Sequence, residues 1–316
     1  MSAFMTPEQI AQRTSRAVDA AVQAGRGLGL TVTDPQVLHD VFSVVVHLAP
    51  SPVVARVLTV VPQQADLDGL AGRQRAELDM VRWLADRGTP VIPPSPLVPA
   101  EPVRYDGFAM TFWQFVEEAK DSEPDYVANA GLVPGLHAGM RDYPGELSFL
   151  SAADPRFIED GIAALEQRPD LIDPADLDRM RREWRVLEPV ARSRALFEET
   201  FPGIGVQPVH GDSPVANIFH AVDGDRYADF EMVTLGPVEW DVALVGPECE
   251  AAYNREARRR GMRTLNSDVL AFANAVGMLV AFASLALAPQ LPMLADAMRE
   301  LPEQWRSMPF AGGLPA

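Results

Sequence analysis

Lysine is almost missing from this chain. Of its 316 residues, 27 are basic, and all of these but Lys120 are arginine. A Walker-A phosphate loop needs lysine directly after its second glycine. Lys120 stands instead in Glu117-Glu118-Ala119-Lys120-Asp121, which excludes that class of nucleotide site. Any cation that contacts a phosphate here is therefore expected to be arginine. Cysteine is scarcer still: Cys249 is alone, so an internal disulfide and a cysteine-rich zinc site are both ruled out. The five histidines (His39, His47, His137, His210 and His220) are scattered without metal-ligand spacing. Positive charge is short overall. With 27 Lys+Arg against 44 Asp+Glu, the net charge is −17 at pH 7. A surface that acidic disfavours nucleic acid and anionic lipid as partners, and basic or neutral ligands suit it better.

What is present is ordinary globular material. Apolar residues make up 47% and charged ones 22%, which excludes disordered, collagen-like and coiled-coil classes. Residues 1–5 lack a basic flank, and Thr6-Pro7-Glu8-Gln9 reads as a capped helix start, so no secretory signal is expected and a cytoplasmic location is. The apolar run Val269–Ala288 is long enough to cross a bilayer. No second span or aromatic belt accompanies it, and a buried helix is the expectation.

Residues 7–24 carry a helical apolar stripe, ended by Gly25-Arg26-Gly27-Leu28-Gly29. That run mimics a dinucleotide fingerprint, but its third glycine comes one place early and it follows a helix, so it reads as a helix stop. Residues 43–48 and 53–58 read as a hairpin joined through Ala49-Pro50-Ser51-Pro52. A helix over residues 70–87 follows, closed by Gly88. Glu77 falls on its buried stripe with Leu70, Val81 and Leu84, a costly place for a carboxylate unless it is paired, and Arg56 is an available partner. The proline-rich stretch from Thr89 to Glu101 is an extended connector, and residues 107–116 are strand-like. Beyond them helices dominate, at 126–141, 156–167, 174–199 and most of 241–300. Strands first and helices after argue α+β with two lobes, residues 1–115 and 116–316, and against alternating βαβ units.

The strongest chemical signal lies at 206–241. A short strand runs into His210-Gly211-Asp212, Asn217 opens another strand, and Asp223-Gly224 signals a hairpin turn. Folding about that turn sets Asn217 nearly opposite Asp229, within about 5 Å across the strands, with a register open by one residue. One amide and one carboxylate suit Mg²⁺, which takes few protein ligands. Asp212, five residues before Asn217, could orient a substrate hydroxyl and accept its proton. Metal-assisted phosphoryl transfer needs these parts.

The pattern His210-x-Asp212-x4-Asn217 with the later Asp229 resembles the active site of the aminoglycoside phosphotransferase/choline kinase family, a branch of the protein-kinase-like fold. Gly236-Pro237-Val238-Glu239-Trp240-Asp241-Val242-Ala243 and Leu136-His137-Ala138 also resemble segments of that family, as do Val53–Val57, Glu77 and Phe112–Val116 more loosely. The resemblance implies a bilobal fold with a small antiparallel-sheet N-lobe and a larger, mainly helical C-lobe. It implies that Asp212 is the catalytic carboxylate, that Asn217 and Asp229 hold Mg²⁺, and that His210 braces the catalytic loop. By position, Asp241 would anchor that loop. Arg56 would stand where kinases place a phosphate-contacting lysine, paired with Glu77. Ser43 would lie in the phosphate-covering turn, and Gln114, Phe115 and Val116 at the interlobe hinge beside the adenine. The implied activity is transfer of the terminal phosphoryl group of ATP, or GTP, to a small-molecule hydroxyl on an amino sugar, aminoglycoside or choline-like acceptor.

The chain departs from that family in several places. Arg56 is not lysine, the covering turn His39-Asp40-Val41-Phe42-Ser43 has no glycine, and Asp40 there would repel a phosphate unless it points away. Ser213-Pro214 follows the His-Gly-Asp. One alternative is a catalytically silent kinase-like nucleotide-binding protein. A remoter one is a GDS-type serine hydrolase on Gly211-Asp212-Ser213, which lacks a late Asp-x-x-His. Glu231, Glu239 and residues 248–256 are candidates for lining an acceptor site or simply for a solvated face.

Overall fold

The computed structural model describes residues 4–61, 67–119 and 124–315; Lys120 lies outside the described residues. The chain opens with α1 (Pro7–Gly27), capped as its sequence predicts: Thr6 accepts from the Gln9 amide and Gln9 returns the bond. Then come β1 (Val32–Asp40), β2 (Ser43–Pro50), β3 (Val53–Leu58), α2 (Leu67–Ala85), β4 (Val103–Tyr105) and β5 (Phe108–Gln114). These five strands form one antiparallel sheet in the order β1-β2-β3-β5-β4. Alanines at 17, 20, 21 and 24 let α1 lie close on one face, over Val44, Val46, Leu48, Ala55 and Phe112. The opposite face presents Val54 and Trp113 to Leu78, Val81 and Leu84 of α2. Side chains alternate along a strand, so Arg56, at the centre of β3, shares the face of Val54 and looks towards α2.

Two strands of this sheet were not legible in the sequence. β1 is an edge strand exposed along most of its length and contains Pro35, so it carries no alternating burial pattern. β4 has three residues. Both exist because β2 and β5 offer them a ladder.

The second lobe contains α3 (Tyr126–Met140), α4 (Pro155–Glu166), α5 (Pro174–Arg192), α6 (Arg194–Thr200), β6 (Gln207–Val209), β7 (Ile218–Ala221), β8 (Gly224–Tyr227), β9 (Thr234–Gly236), α7 (Pro247–Arg259), α8 (Ser267–Ser284), α9 (Met293–Ala297) and α10 (Leu301–Ser307). The helix expected at 174–199 is two helices. Ser193 takes an extended conformation and its hydroxyl accepts from the Leu196 amide, which starts α6. The apolar run at 269–288 is α8 and the helical turn after it. Among the described residues it is the one helix long and apolar enough to cross a membrane. Here Phe272, Val276, Leu279 and Phe282 form the centre of the C-lobe core, with Trp184, Phe197 and Trp305. The molecule is thus a bilobal α+β fold, and the paired short strands β6–β9 and β7–β8 carry the His-Gly-Asp segment and its neighbours.

Candidate active site

β6 delivers His210 to the end of its strand, and the residues after it are pinned from several sides. Asp241 is fully buried and accepts from the backbone amides of His210 (2.8 Å) and Gly211 (2.8 Å). It also bonds His137 Nε2 at 2.8 Å, and His137 Nδ1 meets the Tyr253 hydroxyl at 3.0 Å. Burial alone would raise the Asp241 carboxyl, but the hydrogen bond and charge of His137 and the loop amides outweigh it and hold it below the usual range. Trp240 Nε1 donates to the Gly211 carbonyl at 2.9 Å. Gly211 has φ +89, and a Cβ there would sit 1.8 Å from the Met232 carbonyl oxygen, so only glycine lets the loop lie this close to the following segment. The His210 ring, itself buried, bonds the Ala228 carbonyl through Nε2 at 2.8 Å. It braces two loops together.

Asp212 follows and is exposed. Partial desolvation by the surrounding protein raises its carboxyl, with the charges of Asp229 and Asp241 adding to the rise and His210 and Asn217 opposing it. A carboxylate so poised holds a proton more readily than one in water. Asn217, one residue before β7, donates its amide to the Asp212 carbonyl at 2.6 Å and weakly to Ser213. Its donor end serves the loop, and its side-chain oxygen accepts no hydrogen bond among the described residues.

The hairpin register differs by one residue from the one expected about Asp223-Gly224. Ala221 pairs with Gly224, so the turn is Val222-Asp223, and Asn217 stands opposite Ala228, whose amide donates to it at 3.0 Å. Asp229 is not on the return strand. It lies just beyond β8 at φ +61, a left-handed conformation that aspartate tolerates. A strict strand would have alternated; this kink instead brings the Asp229 carboxylate onto Arg56.

Arg56 joins the lobes electrostatically. Its guanidinium donates to Glu77 of α2 and to Asp229, and lies 3.7 Å from Glu231. The pairing with Glu77 is thus as the sequence suggested. Glu231 was legible only as a possible acceptor-site or solvated residue; its place two residues after Asp229 was the available signal. Glu239, read the same way, is fully buried, paired with Arg263 at 2.5 and 2.8 Å, and serves the fold. Ser43 is buried at the start of β2. At the interlobe segment the amides of Gln114 and Phe115 already donate to Pro93 and Pro52. Val116 is the member of that trio whose amide makes no hydrogen bond among the described residues. A hollow of about 290 Å³ lined by Arg141, Gln207, Tyr253 and Arg263 contains none of these side chains.

Asn217 and Asp229 offer oxygen donors of the kind a hard divalent ion takes. No group of three or more acidic, histidine or cysteine side chains among the described residues forms a metal cage. In this structure the positive charge beside the Asp229 carboxylate is the Arg56 guanidinium.

Burial pushes the Glu231 carboxyl up to about 7; Arg56 opposes this, and Asp229 and Asp212 add to it. Burial likewise raises Glu77, against the pull of Arg56. A carboxyl raised in the folded state binds more protons there than in the unfolded chain, so its contribution to stability is lost as pH rises. The ligand-free protein should therefore lose stability between about pH 5 and 8. Urea midpoints measured across that range check this; Glu231→Gln should flatten the slope, and an unchanged slope would contradict the assignment.

No family model matches the chain, and no curated protein sequence matches it. Solved structures do. An amicoumacin kinase in complex with AMP-PNP, Ca²⁺ and Ami superposes with a TM-score of 0.58 at 14% identity, over 95% of this chain and 96% of that one. Choline kinase LicA from Streptococcus pneumoniae gives 0.58 at 12%, over 89% and 96%. An aminoglycoside-3'-phosphotransferase of type VIII gives 0.56 at 20%, over 83% and 99%. At the level of fold, the resemblance read from residues 206–243 is borne out: the architecture is the one these small-molecule kinases share.

Proposed function

We propose that this chain, built on the fold of small-molecule kinases, is an ATP-dependent phosphotransferase, with GTP as the alternative donor. Its acceptor would be a hydroxyl of an amine-bearing small molecule. The observation that carries the reading is the joining of three loops at one place. The loop of Asp212 is tied to Asn217 through its backbone, the loop of Asp229 is tied to His210 through Ala228, and Arg56 links Asp229 to Glu77. Choline kinase and aminoglycoside phosphotransferase among the structural neighbours, together with the net charge of −17, support an amino sugar, aminoglycoside or choline-like acceptor. We place the lobe boundary at 115/116 and the protein in the cytoplasm.

Asn217 and Asp229 would hold Mg²⁺, which neutralises charge on the donor's phosphates when bound. Asp212 would orient the acceptor hydroxyl and take its proton as the new O–P bond forms. The bond from the terminal phosphorus to the bridging oxygen breaks, and the nucleoside diphosphate leaves. Arg56 is free to contact phosphate only when Asp229 gains another cation, and as a planar fork it could then hold phosphate and Glu77 together. His210, Gly211 and Asp241 keep Asp212 in place throughout. In the hydrolase reading Ser213 lacks a base: His220, the one histidine after it, pairs with Asp225 at 2.8 Å within its own hairpin.

The test is nucleotide consumption, corrected for free phosphate, across amino sugars, aminoglycosides, choline analogues and hydroxy amino acids. Acceptor-dependent ADP formation is expected. Nucleotide binding without turnover on any acceptor would favour the silent alternative, and ester cleavage without nucleotide the hydrolase. Asp229→Ala should cut Mg²⁺-dependent nucleotide affinity by at least about tenfold; unaltered Mg²⁺ dependence would remove its ligand role.

A further inference from the structure

The covering turn between β1 and β2 carries Asp40, a carboxylate that would repel a nucleotide's phosphates. In the structure it is drawn onto α1. Thr14 Oγ1 donates to one of its oxygens and Arg13 Nη2 to the other, at 3.4 Å. Arg13 has a second engagement: its Nη1 donates to the Gln290 carbonyl at 2.9 Å, in the C-lobe beyond α8. Gln290 reaches back, its side-chain amide donating to the carbonyl of Val61, just past β3, at 3.0 Å. The Met5 amide donates to the Pro289 carbonyl at 2.8 Å. Val41 and Val60 pack there with Leu287, Leu291 and Leu294. The first helix, the covering turn, the end of β3 and the C-lobe segment 285–294 therefore meet at one corner, a junction between the lobes separate from their covalent connection.

We infer that Arg13 is a positioning residue for the phosphoryl donor, holding Asp40 off the phosphates while fastening the covering turn to the C-lobe. This rests on the kinase reading above. The chemistry suits arginine: its rigid fork serves two partners at once, which a lysine ammonium does poorly. The Arg13 side chain is 11% exposed and that of Asp40 21%, so the pair is screened by water far less than a surface ion pair. The remaining contacts of α1, its alanine face on the sheet, do not depend on Arg13, so removing it should leave the fold standing.

Hydrogen exchange of the nucleotide-free protein and equilibrium binding of Mg-AMP-PNP test the inference on four variants. Arg13→Ala should speed exchange in both 39–43 and 285–294, and raise the Kd by about tenfold. Adding Asp40→Asn to it should restore most of the affinity, because the repelling charge is gone, while exchange at 285–294 stays fast. Asp40→Asn alone should bind at least as well as wild type, and Arg13→Lys should fall between wild type and Arg13→Ala. Unchanged exchange in Arg13→Ala overturns the latch. Faster exchange with unchanged Kd, or a double variant no better than Arg13→Ala, overturns the positioning role. A wild-type protein that binds no nucleotide overturns that role together with the kinase reading, and the exchange result still separates that failure from failure of the latch.

Discussion

Asp212→Ala should abolish phosphoryl transfer, with turnover falling by on the order of 10³-fold, while Mg-nucleotide affinity stays within about threefold of wild type. The two halves of this expectation come from different parts of the structure. Asp212 is the exposed carboxylate of the cluster, and the Arg56 guanidinium pairs with Glu77 and Asp229 instead. Its raised carboxyl favours proton uptake from a hydroxyl. The loop around it is held by backbone contacts to Asp241, Trp240 and Asn217, none of which needs the Asp212 side chain. On the proposed reading, the substitution removes the proton acceptor and leaves the proposed metal ligands Asn217 and Asp229 in place. Single-turnover kinetics beside equilibrium binding separates the effects. Full turnover in the variant would sink the assignment, and loss of binding alongside turnover would mean Asp212 serves the donor instead.

Asp241→Asn should be the most damaging conservative change for the fold. The carboxylate accepts three hydrogen bonds in complete burial, two from backbone amides and one from His137. An amide of the same shape offers one acceptor and turns two donors towards groups that already donate. Buried donors left unsatisfied cost about 1–3 kcal/mol each. A loss of about 2–5 kcal/mol is expected, read as a lower urea midpoint with an unchanged slope. Turnover of whatever remains folded should also fall, since the same bonds aim Asp212. A wild-type midpoint would show that the network is not the anchor its geometry describes.

The legible parts of this protein are those whose signal is local. The cap at Thr6, the apolar period of α2 and the stop at Gly88 each follow from nearest neighbours in the chain, and each formed. The Arg56–Glu77 pair was readable because a carboxylate on an apolar stripe demands a partner. The His-Gly-Asp segment was readable because chemistry requires those residue types in order. Other features left little trace. Glu239 looks like any surface glutamate until Arg263, 24 residues on, folds against it. Arg13 and Asp40 stand 27 positions apart on a helix and an edge strand, and nothing in either segment announces the contact. The register of the β7–β8 hairpin was open by one residue, and the turn at Val222-Asp223 settled it.

The order of residues alone determined that an antiparallel lobe would precede a helical one, and that Asp212, Asn217 and Asp229 were the candidate chemical groups. Periodicity and residue chemistry act over a few positions and survive without knowledge of the rest. Only the tertiary structure decided which carboxylates share a cation, which are structural, and that Arg13 of the first helix reaches the C-lobe. Those outcomes depend on distances between segments far apart in the chain, set by how the sheet, α2 and the C-lobe pack. A side chain's charge is written in the sequence; its partner is chosen by the fold.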